Sequence, residues 1–363
     1  MPKKRKLNIA ILFGGRSAEH EMSLQSAKNV IAALDNKKYH PILIGISKSG
    51  EWMLYEDAAF LLNAENPRLT ARDKTSNIVA LTPQSSGKLI SLTHPTLRQK
   101  IDVVFPVLHG TFGEDGTVQG LLKLAHVPFV GAGVLGSAVG MDKDIMKRLL
   151  RDADIPIAKF LTFRRTDPLN IDAVIKKLKL PIFVKPANLG SSVGIAKAKT
   201  AHELKRAIAD AFRYDKKIIM EEYILGRELE CAVLGNNLPI ASVPGEVIPQ
   251  KEFYSYEAKY IDENGAITEI PARIPQRTMR TIQNMAIKTF QTLSAEGFAR
   301  VDFFLTPRGK VIVNEINTIP GFTAISMYPK LMEVSGVSYA ELLDELIRLA
   351  QERFTEEEHL QYH

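Results

Sequence analysis

The sequence contains one cysteine, Cys231, among 363 residues. A single thiol cannot form a disulfide within the chain, so a disulfide-stapled fold is excluded and a reducing compartment is favoured. No stretch approaches the roughly 18 consecutive apolar residues of a membrane-spanning helix. The basic residues 3–6 precede a short apolar run at 7–13 that ends in Gly-Gly without a cleavage site, which is typical of a first core strand and not of a signal peptide. We therefore expect a cytoplasmic protein with no membrane partner.

Two functional signatures are also missing. No segment matches G-x-x-x-x-G-K-[ST], so the chain has no P-loop. A formal charge of +6 would suit a basic binding module. However, no basic stripe with interleaved aromatic residues and no zinc-ligand spacing is present, and acidic residues are dispersed among the basic ones. We therefore expect no nucleic-acid partner.

The first third of the chain alternates apolar runs with a helical pattern. Residues 7–13, 41–46 and 101–108 are continuous apolar runs, as in strands buried on both faces, and helical spacing follows the first of them. This alternation predicts a doubly wound parallel sheet, with ligand-binding groups beyond the carboxyl ends of its strands. Residues 50–100 are polar and weakly periodic, and we interpret them as a loop-rich insertion.

The remainder of the chain predicts a second, α+β unit. Short strands at 155–163, 180–187 and 217–224 alternate with helices, and longer strands follow. The last helix begins near Ser338, which forms a capping-box pattern with Glu341.

Gly131, Gly133 and Gly136 have the G-x-G-x-x-G spacing between an apolar run and a helix, which is the pattern of dinucleotide-binding folds. The motif alone is weak. The helix that follows opens with Asp142 and Lys143, whereas a dinucleotide-binding helix packs closely on its strand. We therefore reject a nicotinamide or flavin site.

Residues 298–306 and 310–317 are two apolar strands joined by a Pro-Arg-Gly-Lys turn. Side chains alternate between the faces of a strand, so a two-residue loop would place four polar side chains on one face of this hairpin. A bulge would shift the register by one residue. The expected cross-strand pairs are Asp302 with Glu315 and Arg300 with Asn317.

The two facing carboxylates of this hairpin need a compensating charge, because they repel each other and lose hydration. Asp302, Glu315 and Asn317 offer only oxygen ligands, which suits Mg²⁺ bound together with phosphate oxygens. The alternative is an ion-pair cluster in which Arg300 is the counter-charge.

Residues 183–194, FVKPANLGSSVG, place a lysine at the end of a buried strand and a small-residue loop after it. The backbone N–H groups and hydroxyls of such a loop can wrap phosphate oxygens, and Lys185 would add a point charge. An ordinary turn is the alternative, since small-residue loops are often no more than that.

Two further loops follow predicted strands. Residues 14–21 open a helix with Glu19 and Glu21, whose carboxylates suit the positive end of the helix dipole. Glu19 could instead bind a substrate ammonium. Residues 107–116 form a glycine-rich loop that contains His109, and spacing alone leaves this histidine as a ligand-facing group or a structural one.

Seven segments, in order along nearly the whole chain, resemble those of the D-alanine–D-alanine ligases, which belong to the ATP-grasp carboxylate–amine ligases. They are FGGRSAEHEMSLQSA, LHGTFGEDGTVQG, MDKDIMKRLL, VKPANLGSSVG, FYSYEAKY, ARVDFFL and NEINTIPGFTAISMYP. The resemblance implies a three-domain ATP-grasp architecture, α/β and α+β. Residues 1–131 would form an N-terminal substrate-binding domain with the parallel sheet. Residues 132–220 would form a central ATP-grasp subdomain, and residues 221–363 a C-terminal one with the magnesium site.

The resemblance also implies an activity. ATP would drive the ligation of two D-alanine molecules through a D-alanyl phosphate, with release of ADP and phosphate, in peptidoglycan precursor synthesis. The implied cofactors are ATP and two Mg²⁺ ions, with Mn²⁺ as a substitute, and the implied assembly is a homodimer. The alternative is another ATP-grasp carboxylate–amine ligase, or one that joins D-alanine to D-lactate or D-serine.

The resemblance places the nucleotide between two phosphate-binding lysines, a serine-containing loop, an adenine hinge and a ribose-binding carboxylate. In that order, the residues are Lys143 and Lys185; Ser191 and Ser192; Glu221, Glu222, Tyr223 and Ile224; and Glu228, with Asn314 as a further contact. The magnesium ligands would be Asp302, Glu315 and Asn317, in agreement with the hairpin argument.

At the amino-acid end, the resemblance implies that Glu19 lies near the ammonium of the first D-alanine and is linked through Tyr260 to Ser191. Arg300 and the backbone N–H of Gly321 would hold the transferring phosphate and the oxyanion. Lys259 and Ser326 would contact the carboxylate of the second D-alanine. His109 and Glu114 would lie nearby and support the site.

Relatives that make D-alanine–D-lactate often have phenylalanine at the position of Tyr260, so the tyrosine predicts an amine nucleophile. The acyl phosphate needs protection from water. The loops at 188–194 and 253–265 are the expected lids, because their glycines permit movement.

Overall fold

The computed structural model describes residues 5–56, 77–94, 98–191, 193–249, 266–323 and 325–361. In these ranges, three sheets follow one another along the chain. No helix within them is long and apolar enough to cross a bilayer.

The first sheet is built around the apolar runs of the first third. Its strands are β1 Leu7–Gly14, β2 Tyr39–Ile46, β3 Trp52–Tyr55, β4 Asn77–Leu81, β5 Lys88–Ser91, β6 Arg98–Lys100 and β7 Val103–Val107, and its helices are α1 His20–Ala33 and α2 Thr117–Leu124. The strand order is β6-β5-β4-β3-β2-β1-β7. β1 is parallel to both β2 and β7, which confirms the predicted parallel core. The carboxyl ends of these three strands therefore meet at one edge.

The interpretation of residues 50–100 as a loop-rich insertion was wrong for the part that the structure describes. β3, β4, β5 and β6 extend the parallel core as an antiparallel meander. These strands are only 3 to 5 residues long. A strand of that length shows barely two alternations of polarity, which is too few for a periodicity to be recognised.

The glycine-rich segment after β7 leads into α3 Val134–Met141 and α4 Lys143–Asp152. Its glycines permit close packing against the third sheet. A Cβ at Gly136 would lie 2.3 Å from the carbonyl oxygen of Ser294, and one at Gly297 would lie 3.2 Å from the backbone of Gly131. The G-x-G-x-x-G spacing therefore reflects contact between two backbones, in agreement with the rejection of a dinucleotide site.

The second sheet contains β8 Phe160–Arg164, β9 Ile182–Pro186, β10 Ala196–Ala198 and β11 Lys217–Glu222, with helices α5 Ile171–Leu178 and α6 Ala201–Ala211. Its order is β10-β9-β11-β8, and every pairing is antiparallel. One face is covered by the two helices, whose buried residues form a separate core with those of β9 and β11. The opposite face of this sheet is not covered by these two helices.

The third sheet contains β12 Arg227–Gly235, β13 Ile240–Ala241, β14 Gly245–Pro249, β15 Ala266–Glu269, β16 Gly297–Leu305 and β17 Val311–Asn317. Its main order is β15-β14-β12-β16-β17, and β13 pairs with β12. The helices that follow or flank it are α7 Gln276–Thr292, α8 Met327–Val334 and α9 Tyr339–Glu358. The predicted capping box of Ser338 and Glu341 is present at the start of α9.

α9, which lies near the end of the sequence, packs against elements of the first sheet. Leu346 and Ile347 share one core cluster with Val30 of α1 and Phe105 of β7. The buried Arg353 donates to the carbonyl oxygens of Gly131 and Phe129, where the first sheet gives way to α3. The domain boundaries at 131/132 and 220/221 stay predictions, and the second of them falls inside β11.

Candidate active site

The hairpin of β16 and β17 has the predicted pairs. Asp302 lies opposite Glu315, and Arg300 lies opposite Asn317. Close to the turn, each residue of β16 pairs with a residue one position earlier in β17 than a two-residue loop would give, and a bulge at Asn314 restores the predicted pairs farther along the strands. The predicted pairs were therefore confirmed, because the longer turn and the bulge shift the register by one residue in opposite directions.

Charge compensation in the hairpin comes from basic side chains. Arg300 donates to both carboxylate oxygens of Asp302, each at 2.7 Å, and Asn317 donates to Asp302 at 3.0 Å. Arg300 also lies 3.0 Å from Glu230 on β12, and Glu315 lies 3.5 Å from the ammonium of Lys143. The ion-pair cluster that was the alternative to a metal site is thus present in the structure.

The same residues also fit a hard cation. The donor set consists of the Asp302 and Glu315 carboxylates and an amide from Asn317, and oxygen donors of this kind suit Mg²⁺. The side-chain oxygen of Asn314, beside them on the bulge, is buried without a hydrogen-bond partner in the part of the chain described. No cluster of three or more His, Cys, Asp or Glu residues that could hold a metal occurs in the same ranges, so magnesium binding here would depend on two carboxylates and amide oxygens.

The two predicted phosphate lysines lie at the ends of an α-helix and a β-strand. Lys143 begins α4, which is capped by the side chain of Asp142, and its ammonium donates to the carbonyl of Leu189 at 2.7 Å. Lys185 is the penultimate residue of β9 and lies 2.8 Å from Glu221 on β11. The side chains of both lysines are at most 10% exposed. Each lysine thus lies beside one of the predicted nucleotide-binding segments.

Glu221 is a carboxylate between two buried ammonium groups. Besides Lys185, it faces Lys147 at 3.2 Å. Burial raises the pKa of Glu221, but the two ammoniums outweigh this effect and hold the pKa at about 2. Sequence reasoning did not assign a role to Lys147; its spacing of four residues from Lys143 on one helix is the signal that could have found it.

The rest of the predicted hinge continues from β11. The carboxylate of Glu222 accepts a hydrogen bond from the backbone of Lys159 at 2.8 Å, and Ile224 lies beyond the end of the strand. The ring of Tyr223 lies 6.1 Å from that of Phe183. Glu228, the predicted ribose ligand, lies on β12 and contributes to the electrostatic field at Lys185.

Glu19 lies where three loops meet, at the start of α1. Its carboxylate accepts a hydrogen bond from the hydroxyl of Ser191. A Cβ at Gly110 would lie 2.6 Å from the Glu19 carboxylate, and one at Gly190 would lie 3.3 Å from it. The structure therefore brings Glu19 and Ser191 into direct contact. Tyr260, the predicted link between them, lies outside the described residues, as do Lys259 and Ser192.

His109 and Glu114 lie in the loop after β7. The imidazole nitrogens of His109 contact the carbonyl of Ile319 at 3.1 Å and the hydroxyl of Ser26 at 3.2 Å, and burial lowers the pKa of the ring. This arrangement supports the structural interpretation of His109, and direct contact with a substrate stays a prediction. Burial, and then the charge of Glu19, raises the pKa of Glu114 well above its usual range.

Gly321 and Ser326 lie in the loop after β17. The hydroxyl of Ser326 contacts the hydroxyl of Thr323 at 2.8 Å and accepts from its backbone N–H at 3.0 Å. A Cβ at Gly321 would lie 2.7 Å from the Ser326 hydroxyl. The absence of a side chain at 321 therefore lets the two predicted substrate-binding residues approach each other.

The sequence and fold were compared with known proteins. Family models of the D-ala D-ala ligase N-terminus and C-terminus match residues 8–132 and 149–348. The chain is 53% identical over 363 residues to the D-alanine–D-alanine ligase of Shouchella clausii, covering 99% of this chain and 98% of that protein. The D-alanine–D-alanine ligase structure from Coxiella burnetii superimposes with a TM-score of 0.88 at 42% identity, covering 98% of this chain and 97% of that one.

A second solved structure is similar but is that of a ligase with another specificity. The VanG D-Ala:D-Ser ligase from Enterococcus faecalis has a TM-score of 0.85 and 39% identity, covering 95% of this chain and all of that one. The three-domain fold and the family predicted from the motifs are confirmed by these similarities. Since family models match both halves and a relative is 53% identical over nearly its full length, the chain belongs to the D-alanine–D-alanine ligase family.

Proposed function

We propose that this protein ligates two D-alanine molecules to D-alanyl-D-alanine, with conversion of ATP to ADP and phosphate, for peptidoglycan precursor synthesis. The observation that supports this most is the meeting of the acidic hairpin with the phosphate lysines, where Glu315 lies 3.5 Å from Lys143. The identity of the substrate is supported by the names of the similar curated proteins, which are D-alanine–D-alanine ligases.

In the first half-reaction, a carboxylate oxygen of one D-alanine attacks the γ-phosphorus of ATP. The bond between that phosphorus and the bridging oxygen breaks, giving D-alanyl phosphate and ADP. Lys143 and Lys185 balance part of the phosphate charge, and they act strongly because both lie in a poorly hydrated site. Bound Mg²⁺ would add further charge neutralisation, held by Asp302, Glu315 and Asn317.

In the second half-reaction, the amine of the other D-alanine attacks the carbonyl carbon of the acyl phosphate. The amine loses a proton, the tetrahedral oxyanion collapses, and phosphate leaves. Glu19 would hold the ammonium of the first D-alanine. Arg300 and the backbone N–H of Gly321 would stabilise the oxyanion, and each such donor contributes on the order of 3 kcal/mol.

Phosphate release from ATP tests the proposal directly. We expect release only when both D-alanine and Mg²⁺ are present, with one phosphate formed for each dipeptide. Omission of D-alanine measures ATP hydrolysis that is not coupled to ligation. Equal release with and without D-alanine would contradict the proposed ligation.

The second substrate is the least constrained part of the proposal, because ligases for D-alanine and for D-serine are about equally similar in fold. We propose D-alanine on the basis of Tyr260. Product analysis with D-alanine, D-serine and D-lactate offered together at neutral pH should give mainly the dipeptide of D-alanine. A Tyr260→Phe variant should shift the products towards the depsipeptide, and an unchanged ratio would remove Tyr260 from the basis for specificity.

We also propose two Mg²⁺ ions per site with Mn²⁺ as a substitute, a homodimer, and a cytoplasmic location. The family resemblance supports the ions and the dimer, and the single cysteine supports a reducing compartment. Titration with Mn²⁺ in the presence of ADP, followed by electron paramagnetic resonance, would count the ions. Sedimentation velocity would give the oligomeric state, and cell fractionation the location.

A further inference from the structure

Lys147 is a lysine with no exposed surface. Its relative exposure is 0%, and it lies on α4 one turn after Lys143. Burial of an ammonium in a protein interior is unfavourable unless it is paired and hydrogen-bonded. Lys147 has two such partners, the Glu221 carboxylate at 3.2 Å and the carbonyl oxygen of Asn314 at 3.1 Å. One side chain thus connects α4 with β11 and with the bulge of β17.

The second cation on Glu221 is Lys185, at 2.8 Å. Lys147, Glu221 and Lys185 form a cluster in which two ammoniums share one carboxylate, and we call it the lysine triad. Burial lowers the pKa of Lys185, but the Glu221 carboxylate and nearby acids reverse the shift, so Lys185 stays charged. Burial lowers the pKa of Lys147, and the charge of Glu221 opposes this shift without reversing it. The carboxylate of Glu221 and the carbonyl of Asn314 both suit the ammonium form of Lys147. With both lysines charged, the triad has one positive charge in excess.

Without Lys147, Glu221 and Lys185 would form a neutral pair. The ammonium of Lys185 would then be held by the carboxylate, and a phosphate would have to compete with Glu221 for it. A second cation that pairs with Glu221, but does not itself contact the ligand, would remove this competition. Lys147 suits that requirement, because its ammonium is enclosed between β11 and β17.

We propose that Lys147 is a positioning residue of the nucleotide site, which neutralises Glu221 so that the charge of Lys185 remains available to the phosphates of ATP. This inference depends on the proposed function, since it assumes that Lys185 faces a nucleotide. It predicts that the affinity for nucleotide phosphates, and not the affinity for D-alanine, depends on Lys147.

The test is calorimetric titration of the full-length protein with ADP and Mg²⁺. Lys147→Met keeps the length of the side chain but removes its charge. We expect a dissociation constant for ADP raised about 10- to 100-fold, the range found for residues that orient the ligands of a bound metal. The Michaelis constant for D-alanine at saturating ATP should change less than about twofold. If Lys147→Met binds ADP as tightly as the wild type, the inference is wrong.

A double variant separates charge balance from mere packing. In Lys147→Met with Glu221→Gln, the excess positive charge of Lys185 is restored, and the backbone through which the predicted hinge meets adenine is kept. ADP affinity should therefore return to within about threefold of the wild type. The double variant leaves the buried Lys185 ammonium without its carboxylate, so the melting temperature of both variants is measured and ADP binding is compared below it. A double variant that binds ADP as weakly as Lys147→Met, or more weakly, would show that Lys147 acts through packing alone.

Arg353→Met is the matched control for the loss of a buried cation. Arg353 contacts backbone carbonyls at the end of the first sheet and no residue of the triad. It should lower the melting temperature without change in ADP affinity, and a parallel loss of affinity would assign the effect of Lys147→Met to general destabilisation. If the wild type binds no ADP at all, the proposed function is wrong and the inference is wrong with it, whereas equal ADP binding by the wild type and Lys147→Met overturns the inference alone.

Discussion

Two charged clusters lie next to each other in this protein and have opposite compositions. In the hairpin, one guanidinium, that of Arg300, lies within 3.0 Å of two carboxylates, Asp302 and Glu230. In the lysine triad, one carboxylate, that of Glu221, lies within 3.2 Å of two ammoniums. The first cluster has a negative charge in excess, and the second a positive one.

This difference matches the two parts of a metal-bound nucleotide. An excess of carboxylate suits a divalent cation, and an excess of ammonium suits phosphate. The clusters are joined where the ammonium of Lys147 donates to the carbonyl of Asn314, the bulge residue of the hairpin. The comparison therefore suggests that each cluster binds its own part of the ligand, and variants in either one can test this.

The largest effect is expected from Asp302→Asn, which removes the negative excess of the hairpin. Ligation should fall by about 10³-fold, since a metal at the transferring phosphate stabilises the transition state by several kcal/mol. Phosphate release at saturating ATP and Mg²⁺ measures this, and the melting temperature shows whether the fold is intact. The control is Asp344→Asn, whose carboxylate pairs with Lys38 on the surface. More than a tenth of wild-type activity in Asp302→Asn would contradict the role of the hairpin.

Glu221→Gln removes the one carboxylate of the lysine triad and should mainly lower the stability of the protein. It leaves two buried ammoniums without a counter-charge, and we expect a loss of about 3 kcal/mol in the free energy of unfolding at pH 7. Because the pKa of Glu221 is about 2, below that of an ordinary glutamate, its contribution is complete above about pH 4.5 and is lost as the pH falls towards 2.

Denaturant unfolding at pH 7 and pH 3 measures that contribution. The gap between wild type and Glu221→Gln should be smaller at pH 3 than at pH 7. Glu222→Gln is the matched control, because its more exposed side chain lies 3.9 Å from Lys159, and it should cost less than about 1 kcal/mol. A gap that widens at pH 3 would mean that the ammoniums do not hold Glu221 ionised.

Ser191→Ala should weaken the binding of D-alanine without altering either charged cluster. The hydroxyl of Ser191 donates to Glu19, and hydrogen bonds to charged groups contribute about 1.5 to 3 kcal/mol, so the Michaelis constant for D-alanine should rise about tenfold or more. ADP affinity should fall less than this, because the backbone N–H groups of the loop, which can also bind phosphate, are kept. Val193→Ala in the same loop controls for disturbance of the loop, and an equal rise in that variant would argue against a specific role of the hydroxyl.

The hairpin could be predicted from sequence because its information is local. Side chains alternate along a strand, and a turn signal sets the register, so the pairing of Asp302 with Glu315 followed from residues close in the chain. Even so, the loop was one residue longer than predicted, and the bulge at Asn314 compensated for it. The correct pairing therefore did not depend on a correct turn.

The triad could not be predicted in the same way. The Lys147 ammonium donates to the carbonyl of Asn314, which is 167 residues away in sequence and lies on β17 of the third sheet. The spacing of four residues from Lys143 places this lysine on the same side of the helix, but it does not reveal that its partners are Glu221 and Asn314. Similarly, the strands between residues 50 and 100 are stabilised by pairing with their neighbours, and their sequences alone are too short to show it.

The smallest effect is expected from Ser338→Ala, because Ser338 belongs to neither cluster. Ser338 and Glu341 form a capping box at the start of α9, and loss of a capping hydroxyl typically costs about 1 kcal/mol. Denaturant unfolding should show that loss, while phosphate release and ADP affinity stay at wild-type values. The variant thus gives the baseline for a change in stability that reaches neither cluster. If it also weakened ADP binding, the effects of Lys147→Met and Asp302→Asn could no longer be assigned to charge, because a modest loss of stability alone would be enough to disturb the site.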